Sequence, residues 1–207
     1  MSDEPDDLEL LARWRGGDAA SGNALFDRYF VAVRRFFRNK VPGDVDDLIQ
    51  KTFLACVEGR DRFRGDASFR RYLFGTANNI LRVYYRKRSS LGDALDFEAT
   101  AVVDLEPSPS QVAALGDEQR VILEALRRIP LEYQVVLELF YWEELGVAEL
   151  AEIVGVPVGT IKTRLRRGRT LLEQQIGTLV DGPERLHTTL SNLDDWARAL
   201  RERLQRT

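Results

Sequence analysis

The chain has 207 residues, of which 44% are hydrophobic and 30% are charged, which is enough for one large or two small helical domains. Its single cysteine, Cys56, excludes an internal disulfide framework, and a single histidine, His187, argues against a zinc site. No stretch approaches the roughly 18 apolar residues that a membrane span requires, and the acidic N-terminus does not resemble a secretory signal. We therefore expect a cytoplasmic protein without membrane insertion.

The net charge of −3 hides a segregated charge distribution. Residues 60–88 carry nine basic and two acidic side chains, whereas residues 89–118 carry no basic and seven acidic side chains. A second basic cluster, with five basic residues against one acidic, occupies residues 159–175. Two basic surfaces separated by an acidic stretch are typical of a protein that contacts nucleic acid at two places.

Four helices are predicted in the first 90 residues, at about 6–15, 19–40, 46–59 and 67–88. The first places Leu8, Leu11 and Trp14 at a spacing of three, and Asp18 is a candidate N-cap of the second. The fourth follows a loop and is capped by Ser68 or by an earlier aspartate.

The fourth helix mixes three kinds of side chain that suit single-stranded nucleic acid. They are the aromatic residues Tyr72, Phe74, Tyr84 and Tyr85, the amides Asn78 and Asn79, and the cations Arg82, Arg86 and Lys87. Rings stack on bases, amides read base edges and cations hold phosphates. The alternative is that most of these aromatic side chains, Phe74 first among them, belong to the core and that the basic end is only solvated.

A linker is predicted at residues 91–114, which have no helical periodicity and contain prolines, serines and scattered acids. Helices at about 117–129 and 131–142 follow, the second of them strongly apolar. A last amphipathic helix is predicted at 184–206. We hypothesise that its residues Leu190, Leu193, Trp196 and Leu200 dock onto a domain and regulate it; the alternative is a loosely attached tail.

Residues 149–174 carry the strongest pattern, two short helices with a break at Gly155. Glycine suits the positive-φ position that ends a helix, and Pro157 is compatible with the start of the next helix but not with continuation of the first. The second helix repeats apolar residues at Ile161, Leu165 and Leu172. This spacing predicts a helix-turn-helix whose second helix enters a major groove. The alternative is a basic solvated helix in an ordinary bundle.

Five short motifs occur in a fixed order: DDLIQ at 46–50, TFL at 52–54, FRGD at 63–66, SFR at 68–70 and VPVGTIKTRL at 156–165. Together they resemble the motifs of bacterial RNA polymerase sigma factors of the sigma-70 family, extracytoplasmic-function (ECF) group. Such proteins bind core polymerase and direct it to promoters. The sequence departs from the usual pattern at Lys51, Tyr72 and Gly75.

The resemblance implies an all-α fold of two small helical domains joined by a flexible acidic linker. The helix predicted after residue 183 exceeds the usual family length and would form a C-terminal helical extension. Residues 1–90 would form a region 2-like domain that binds core polymerase and melts and reads the −10 element. Residues 91–114 would form the linker, 115–177 the region 4-like helix-turn-helix domain that reads the −35 element, and 178–207 the extension.

The resemblance also assigns residues to three surfaces. Those expected to bind core polymerase are Asp47, Leu48, Gln50 and Phe53. Those expected to hold the melted −10 strand, with Asn79 lining a pocket for a flipped-out base, are Phe63, Arg64, Tyr72, Asn78, Asn79, Arg82 and Arg86. Those expected to read the −35 duplex are Val158, Gly159, Thr160, Lys162, Thr163, Arg164, Arg166 and Arg167.

The implied partners are core RNA polymerase, through its clamp coiled coil and flap, and promoter DNA; an anti-sigma factor is a further candidate. Neither duplex reading nor strand capture calls for bond chemistry, so no cofactor, metal or catalytic residue is expected. The rival hypothesis is a helix-turn-helix regulator that does not act as a polymerase subunit, which leaves the basic aromatic helix unexplained. A third hypothesis, an enzyme using Ser191, His187 or Asp194, is disfavoured because these residues are not part of a nucleophile motif. A fourth, a pure interaction protein, predicts that the chain binds neither DNA nor core polymerase.

Overall fold

The computed structural model describes residues 5–43, 45–60, 68–89, 101 and 117–179, and its regular secondary structure there is entirely helical. The helices are α1 Asp7–Arg15, α2 Ala19–Arg38, α3 Asp46–Gly59, α4 Phe69–Ser89, α5 Asp117–Arg127, α6 Leu131–Tyr141, α7 Val147–Val154 and α8 Val158–Leu179. The all-α prediction is confirmed. The predicted C-terminal helix and all but one residue of the predicted linker lie outside the described residues.

Side-chain caps fix where the first helices begin. The Asp18 carboxylate accepts hydrogen bonds from the backbone N–H groups of Ala20, at 3.0 Å, and Ser21, at 3.4 Å, which confirms it as the N-cap of α2. Hydrogen bonding from Ser21 lowers the pKa of the Asp18 carboxyl group. At the start of α4, the Ser68 hydroxyl oxygen accepts from the backbone N–H of Arg71 at 3.2 Å.

Helices α1 to α4 form the N-terminal bundle. Trp14 of α1 lies edge-on to Phe26 of α2 and Phe69 of α4, with ring centroids 5.2 and 6.4 Å apart. This approach requires Gly22, where a Cβ atom would lie 2.5 Å from the indole nitrogen. Leu8 is exposed, because a helix turning about 100° per residue places the buried stripe of α1 at Leu10, Leu11 and Trp14.

Helices α5 to α8 form the C-terminal bundle, in which α6 is the central element. Its buried residues face α8, whose own buried stripe is Ile161, Leu165, Gly168, Leu172 and Ile176. Gly168 marks the point where α6 and α8 come closest: a Cβ atom there would lie 3.2 Å from both the Tyr133 Cβ and the Leu137 Cδ1.

The predicted helix-turn-helix is formed by α7 and α8. Gly155 ends α7 with φ of 75° in the left-handed region, and its N–H donates to the Ala151 carbonyl at 2.9 Å. Pro157 directly precedes α8, and its carbonyl accepts from the N–H of Thr160 at 2.9 Å. The break predicted at these two residues is therefore confirmed.

The two bundles touch, because α4 of the N-terminal bundle packs against α7 of the C-terminal bundle. In the described part of the chain, no helix combines the length and apolarity that crossing a membrane requires.

Candidate nucleic-acid interface

Helix α8 presents a basic face opposite its buried stripe. Exposed residues on this face are Val158, Gly159, Lys162, Thr163, Arg166 and Arg167, while Thr160 and Arg164 are half-buried. The buried residues recur at spacings of three and four, so the outward positions fall on one continuous strip. The structure thus brings all eight residues predicted to read duplex DNA onto one helix, six of them facing solvent.

The cations of α8 differ in what they already contact. The Arg164 guanidinium forms an ion pair with Glu132 of α6, with Nη2 and Oε2 2.6 Å apart. The Arg169 guanidinium lies 5.4 Å from the ring centroid of Tyr141 and 5.9 Å from that of Phe140. Both side chains are turned toward the body of the bundle. Arg166 and Arg167 point away from it and are the best placed to meet a phosphate or a base.

Helix α4 divides its predicted strand-binding residues between solvent and the interior. Asn79 and Arg86 are exposed, and Tyr72 is half-buried with its hydroxyl 3.5 Å from the Ala55 carbonyl. Asn78 is only 1% exposed, and Arg82 is half-buried. Phe63 and Arg64 lie outside the described residues.

The aromatic side chains of α4 are partly core, as the alternative interpretation expected. Phe74 and Tyr85 are buried, and burial raises the pKa of the Tyr85 phenol, whose hydroxyl donates to the Lys40 carbonyl. Tyr84 is half-buried and accepts a hydrogen bond from Arg88 at 2.9 Å. Tyr72 and Tyr84 are therefore the aromatic residues of α4 that retain accessible ring surface.

A third feature is an open apolar groove of about 540 Å³ between α2 and α3. It is lined by Phe26, Phe30, Asp46, Ile49, Gln50, Phe53, Leu54 and Val57. The ring of Phe53 on α3 stacks on the ring of Phe30 on α2, with centroids 6.4 Å apart. Asp47, which is exposed on α3, is ion-paired with Lys51 of the same helix. Leu48 is 6% exposed and belongs to the core, on the other side of α3 from Gln50.

The family-level sequence comparison decides the class of protein. The family model for Sigma-70 region 2 matches residues 25–91, and the one for Sigma-70 region 4 matches residues 119–172, together more than half of the chain. The chain belongs to the sigma-70 family.

Curated proteins similar to this sigma factor are named as members of the ECF group. The ECF RNA polymerase sigma-E factors of Salmonella typhimurium strain LT2 and Escherichia coli strain K12 are each 28% identical to it over 189 residues, covering 87% of this chain and 99% of theirs. The sigma-E factor of Haemophilus influenzae is 25% identical over 189 residues, covering 87% of this chain and 100% of its own.

Two solved structures share the fold of this sigma factor. CnrH in complex with the cytosolic domain of CnrY matches with a TM-score of 0.61 and 24% identity, covering 83% of this chain and 97% of CnrH. RpoE from Bartonella quintana in complex with the anti-sigma factor NepR matches with a TM-score of 0.62 and 21% identity. The match covers 75% of this chain and 96% of that chain.

The seam between the two bundles of this sigma factor carries polar contacts that sequence reasoning missed. Lys40, which is fully buried, is ion-paired with Glu138 of α6, and Asn39 donates to the same carboxylate at 2.6 Å. Gln134 donates to Glu138 at 2.9 Å, and Arg127 donates to the Asn39 side-chain oxygen at 2.9 Å. The available signal was a lysine three residues after a pair of phenylalanines, Lys40, and a glutamate inside an apolar run, Glu138.

Burial sets the proton affinities in this seam. Desolvation lowers the pKa of the Lys40 ammonium group, although the neighbouring Glu138 carboxylate opposes the shift. Desolvation also lowers the pKa of the Arg127 guanidinium against the same carboxylate.

A second set of contacts crosses the seam closer to solvent. The Glu143 carboxylate is ion-paired with Arg35 of α2 and with Arg70 of α4, the latter at 3.2 Å. Arg71 of α4 pairs with Glu152 of α7 at 2.8 Å.

Proposed function

We propose that this protein binds core RNA polymerase and directs promoter-specific initiation, reading the −35 element as duplex through α8 and the −10 element as melted strand through α4. The observation that carries the proposal is the exposed basic face of α8, which follows a helix-turn-helix break within the part of the chain matched by Sigma-70 region 4. The same proposal divides the chain into four parts. They are a region 2-like domain at residues 1–90, a linker at 91–114, a region 4-like domain at 115–177 and an extension at 178–207.

Duplex reading needs a rigid helix in the major groove whose outward side chains reach base edges and whose cations contact phosphates. The outward strip of α8 has that composition, with Lys162, Arg166 and Arg167 as cations. Its N-terminal residues Val158 and Gly159 carry little side-chain bulk and are exposed, so the start of α8 can approach the base edges closely.

Strand capture needs groups that compensate for unstacked bases. Asn79 offers an exposed amide that can hydrogen-bond a base edge, and Arg86, two turns further along α4, offers a cation for the sugar-phosphate backbone. Tyr72 and Tyr84 contribute half-buried rings. Phe63 and Arg64, which precede α4, remain assigned to this surface.

Core polymerase would occupy the α2–α3 groove. Phe53 and Gln50 line it together with the acidic residue Asp46, and Phe30 and Leu54 extend its apolar surface. Asp47 is exposed on the same helix, α3. An apolar groove with acidic residues at one edge suits an amphipathic helical partner with basic flanks, which fits the clamp coiled coil. The C-terminal bundle would contact the flap, and an anti-sigma factor, as in the RpoE complex with NepR, would compete for these surfaces. A polymerase subunit of this kind acts in the cytoplasm and is not itself a catalyst.

Run-off transcription with purified core enzyme tests the proposal. Promoter-bearing genomic fragments should give defined transcript starts only when the chain is present, and sequencing the transcript ends would reveal the −35 and −10 elements. The alternative, a helix-turn-helix regulator outside the polymerase, predicts a DNA shift by the chain alone and no change in start sites. That alternative rests on α7 and α8 and gives no role to the α2–α3 groove.

A matched pair of variants tests the groove. Leu54, 53% exposed, lines it, whereas Leu8, 58% exposed, lies on α1 outside it. Leu54→Glu should weaken core binding at least tenfold, because a charge enters an apolar contact, and Leu8→Glu should not. Fluorescence anisotropy measures the affinity of each variant for core polymerase. Equal affinities would mean that core polymerase binds a surface other than this groove.

A further inference from the structure

Arg164 of α8 is held by a carboxylate of another helix in the same bundle. Its Nη2 lies 2.6 Å from Glu132 Oε2, and each of the two side chains is only 12% exposed. Glu132 lies in the first turn of α6, and Arg164 lies in the second turn of α8. The ion pair therefore ties the part of α8 that is proposed to read bases to the helix beneath it.

The other contacts that seat α8 on its bundle have little angular preference. Its buried stripe is aliphatic apart from one glycine: Ile161, Leu165, Gly168, Leu172 and Ile176. Apolar burial has no preferred direction, and Gly168 has no side chain to interlock with α6, so these contacts permit α8 to rotate about its own axis. On the other flank of the stripe, Arg169 lies over two aromatic rings of α6, a contact that persists within about 6 Å of a ring centroid. A charge-assisted hydrogen bond has a narrow range of length and angle, so Glu132 sets the rotation of α8 through Arg164.

The rotation of α8 decides which base edges its outward side chains can meet. Thr163, Arg166 and Arg167 lie on the outer surface of the helix, at a radius of about 5–6 Å from its axis. A rotation of about 20° moves groups at that radius by about 2 Å. Hydrogen bonds to base edges require donor–acceptor distances of about 2.7–3.2 Å, so a rotation of this size breaks them or moves them to a neighbouring group. Base discrimination thus depends on the angle at which Glu132 holds Arg164.

The same ion pair also keeps one positive charge away from DNA. Arg164 lies at the border between the buried stripe and the outward strip, beside Thr160 and Arg167, its neighbours four and three positions away. Without Glu132, its long side chain is free to turn outward and join the cations of the strip. Phosphates would attract it whatever the sequence, because contacts to the DNA backbone carry no base information.

From this geometry we propose that Glu132 is a positioning residue for promoter reading, which fixes the rotation of α8 and withholds Arg164 from the phosphates. The inference rests on the proposed function of α8 and removes Arg164 from the residues that touch DNA. Glu132 itself contacts neither base nor phosphate. Its carboxylate lowers the affinity for unrelated DNA and raises the share of the binding that depends on sequence.

Glu132→Gln tests both parts, because glutamine keeps the side-chain size and removes the charge. Binding of the full chain to random-sequence duplex, titrated with salt, should show a slope of log K against log salt that is steeper by about 0.9, and about eightfold tighter binding at about 0.1 M salt. Reconstituted holoenzyme is then bound to the promoter found by run-off transcription, with its −35 element randomised. The preference for the best sequence over the average should fall at least about tenfold, because base contacts are misplaced.

Three further proteins separate rotation, charge and stability. Arg164→Gln should lose discrimination like Glu132→Gln but keep the parent's salt slope, because Arg164 contacts no phosphate in the parent. Combining Glu132→Arg with Arg164→Glu re-forms the ion pair with reversed polarity and should restore both the discrimination and the slope. The matched control is Glu124→Gln, the same change on α5, where the ion pair with Arg128, at 2.5 Å, lies within one helix. It should change neither quantity.

Three results would overturn the inference. They are an unchanged base preference in Glu132→Gln, a shallower salt slope in Arg164→Gln, which would mean that Arg164 contacts a phosphate, and weaker binding of Glu132→Gln to both kinds of DNA, which would reduce Glu132 to a stabilising residue. Each of them leaves the parent's promoter-specific transcripts, and so the proposed function, intact. A parent holoenzyme without any −35 preference would instead remove the proposed reading by α8, and this inference with it.

Discussion

Arg166 and Arg167 offer the sharpest test of how α8 meets DNA. Both are exposed on the outward strip, one turn beyond Lys162 and Thr163. Replacing both with alanine removes two positive charges without touching the buried stripe. The fold of the C-terminal bundle should therefore be unchanged, and only promoter binding should respond.

The expected magnitude follows from counterion release. Each phosphate neutralised by a side chain contributes about 0.9 to the slope of log K against log salt concentration, so the slope should become shallower by about 1.8. At about 0.1 M salt this corresponds to roughly 60-fold weaker binding, or about 2.5 kcal/mol. Contact of either arginine with a guanine edge would instead cost about 1–3 kcal/mol and relax the base preference at one position.

Binding of the reconstituted holoenzyme to its promoter, titrated at several salt concentrations, measures both quantities. Arg169→Ala is the matched control, because it removes one charge from the same helix but on the side where the guanidinium faces Phe140 and Tyr141. It should leave the −35 footprint intact and reduce stability by about 0.5–1 kcal/mol. An unchanged salt slope and footprint for the double variant would refute the assignment of the outward strip to DNA.

Three more outcomes are expected. Gly22→Ala should lower the free energy of unfolding by about 1–3 kcal/mol, because the added Cβ would overlap the Trp14 indole. Gly75→Ala, whose Cβ meets open space, should raise the free energy of unfolding by about 0.5–1 kcal/mol. Denaturant unfolding compares the two variants, and equal shifts would contradict the packing of Trp14 on Gly22. Asn79→Ala should preserve core binding but impair strand opening in permanganate footprints, and normal opening would remove Asn79 from the strand surface. Burial raises the pKa of the Cys56 thiol from 9.0 to about 12, so the thiol ionises in the unfolded chain at a lower pH than in the folded chain. Between about pH 9 and pH 10 the free energy of unfolding should therefore fall by about 1 kcal/mol more in the parent chain than in Cys56→Ala. Parallel pH profiles of the two proteins would argue against this.

Local chemistry explains what could be predicted from the sequence. The break between α7 and α8 depends on a glycine with positive φ and a proline two residues later, and both are visible in the sequence without knowledge of the rest of the fold. The cap at Asp18 and the basic outward strip of α8 are likewise set within one or two helical turns. These features need no partner from a distant part of the chain.

Long-range contacts explain what could not be predicted. Arg35 and Glu143 are 108 residues apart, and Asn78 and Ile153 are 75 apart, so no spacing rule links them. The same limit affected α4: amides, cations and rings on one helix indicated nucleic acid, but only packing decides that Asn78 is buried and Asn79 exposed. In α3, Leu48 shares the buried stripe with Thr52 and Cys56, which separates it from Gln50 and Phe53.

Gly168 determines how closely α8 sits on α6. With hydrogen in place of a side chain, α8 settles directly on the Tyr133 and Leu137 side chains of α6. Any larger residue there would act as a spacer, raising the middle of α8 away from α6 and shifting its outward strip. If α8 reads promoter DNA as proposed, a substitution at this position facing α6 would alter promoter preference without any contact to a base.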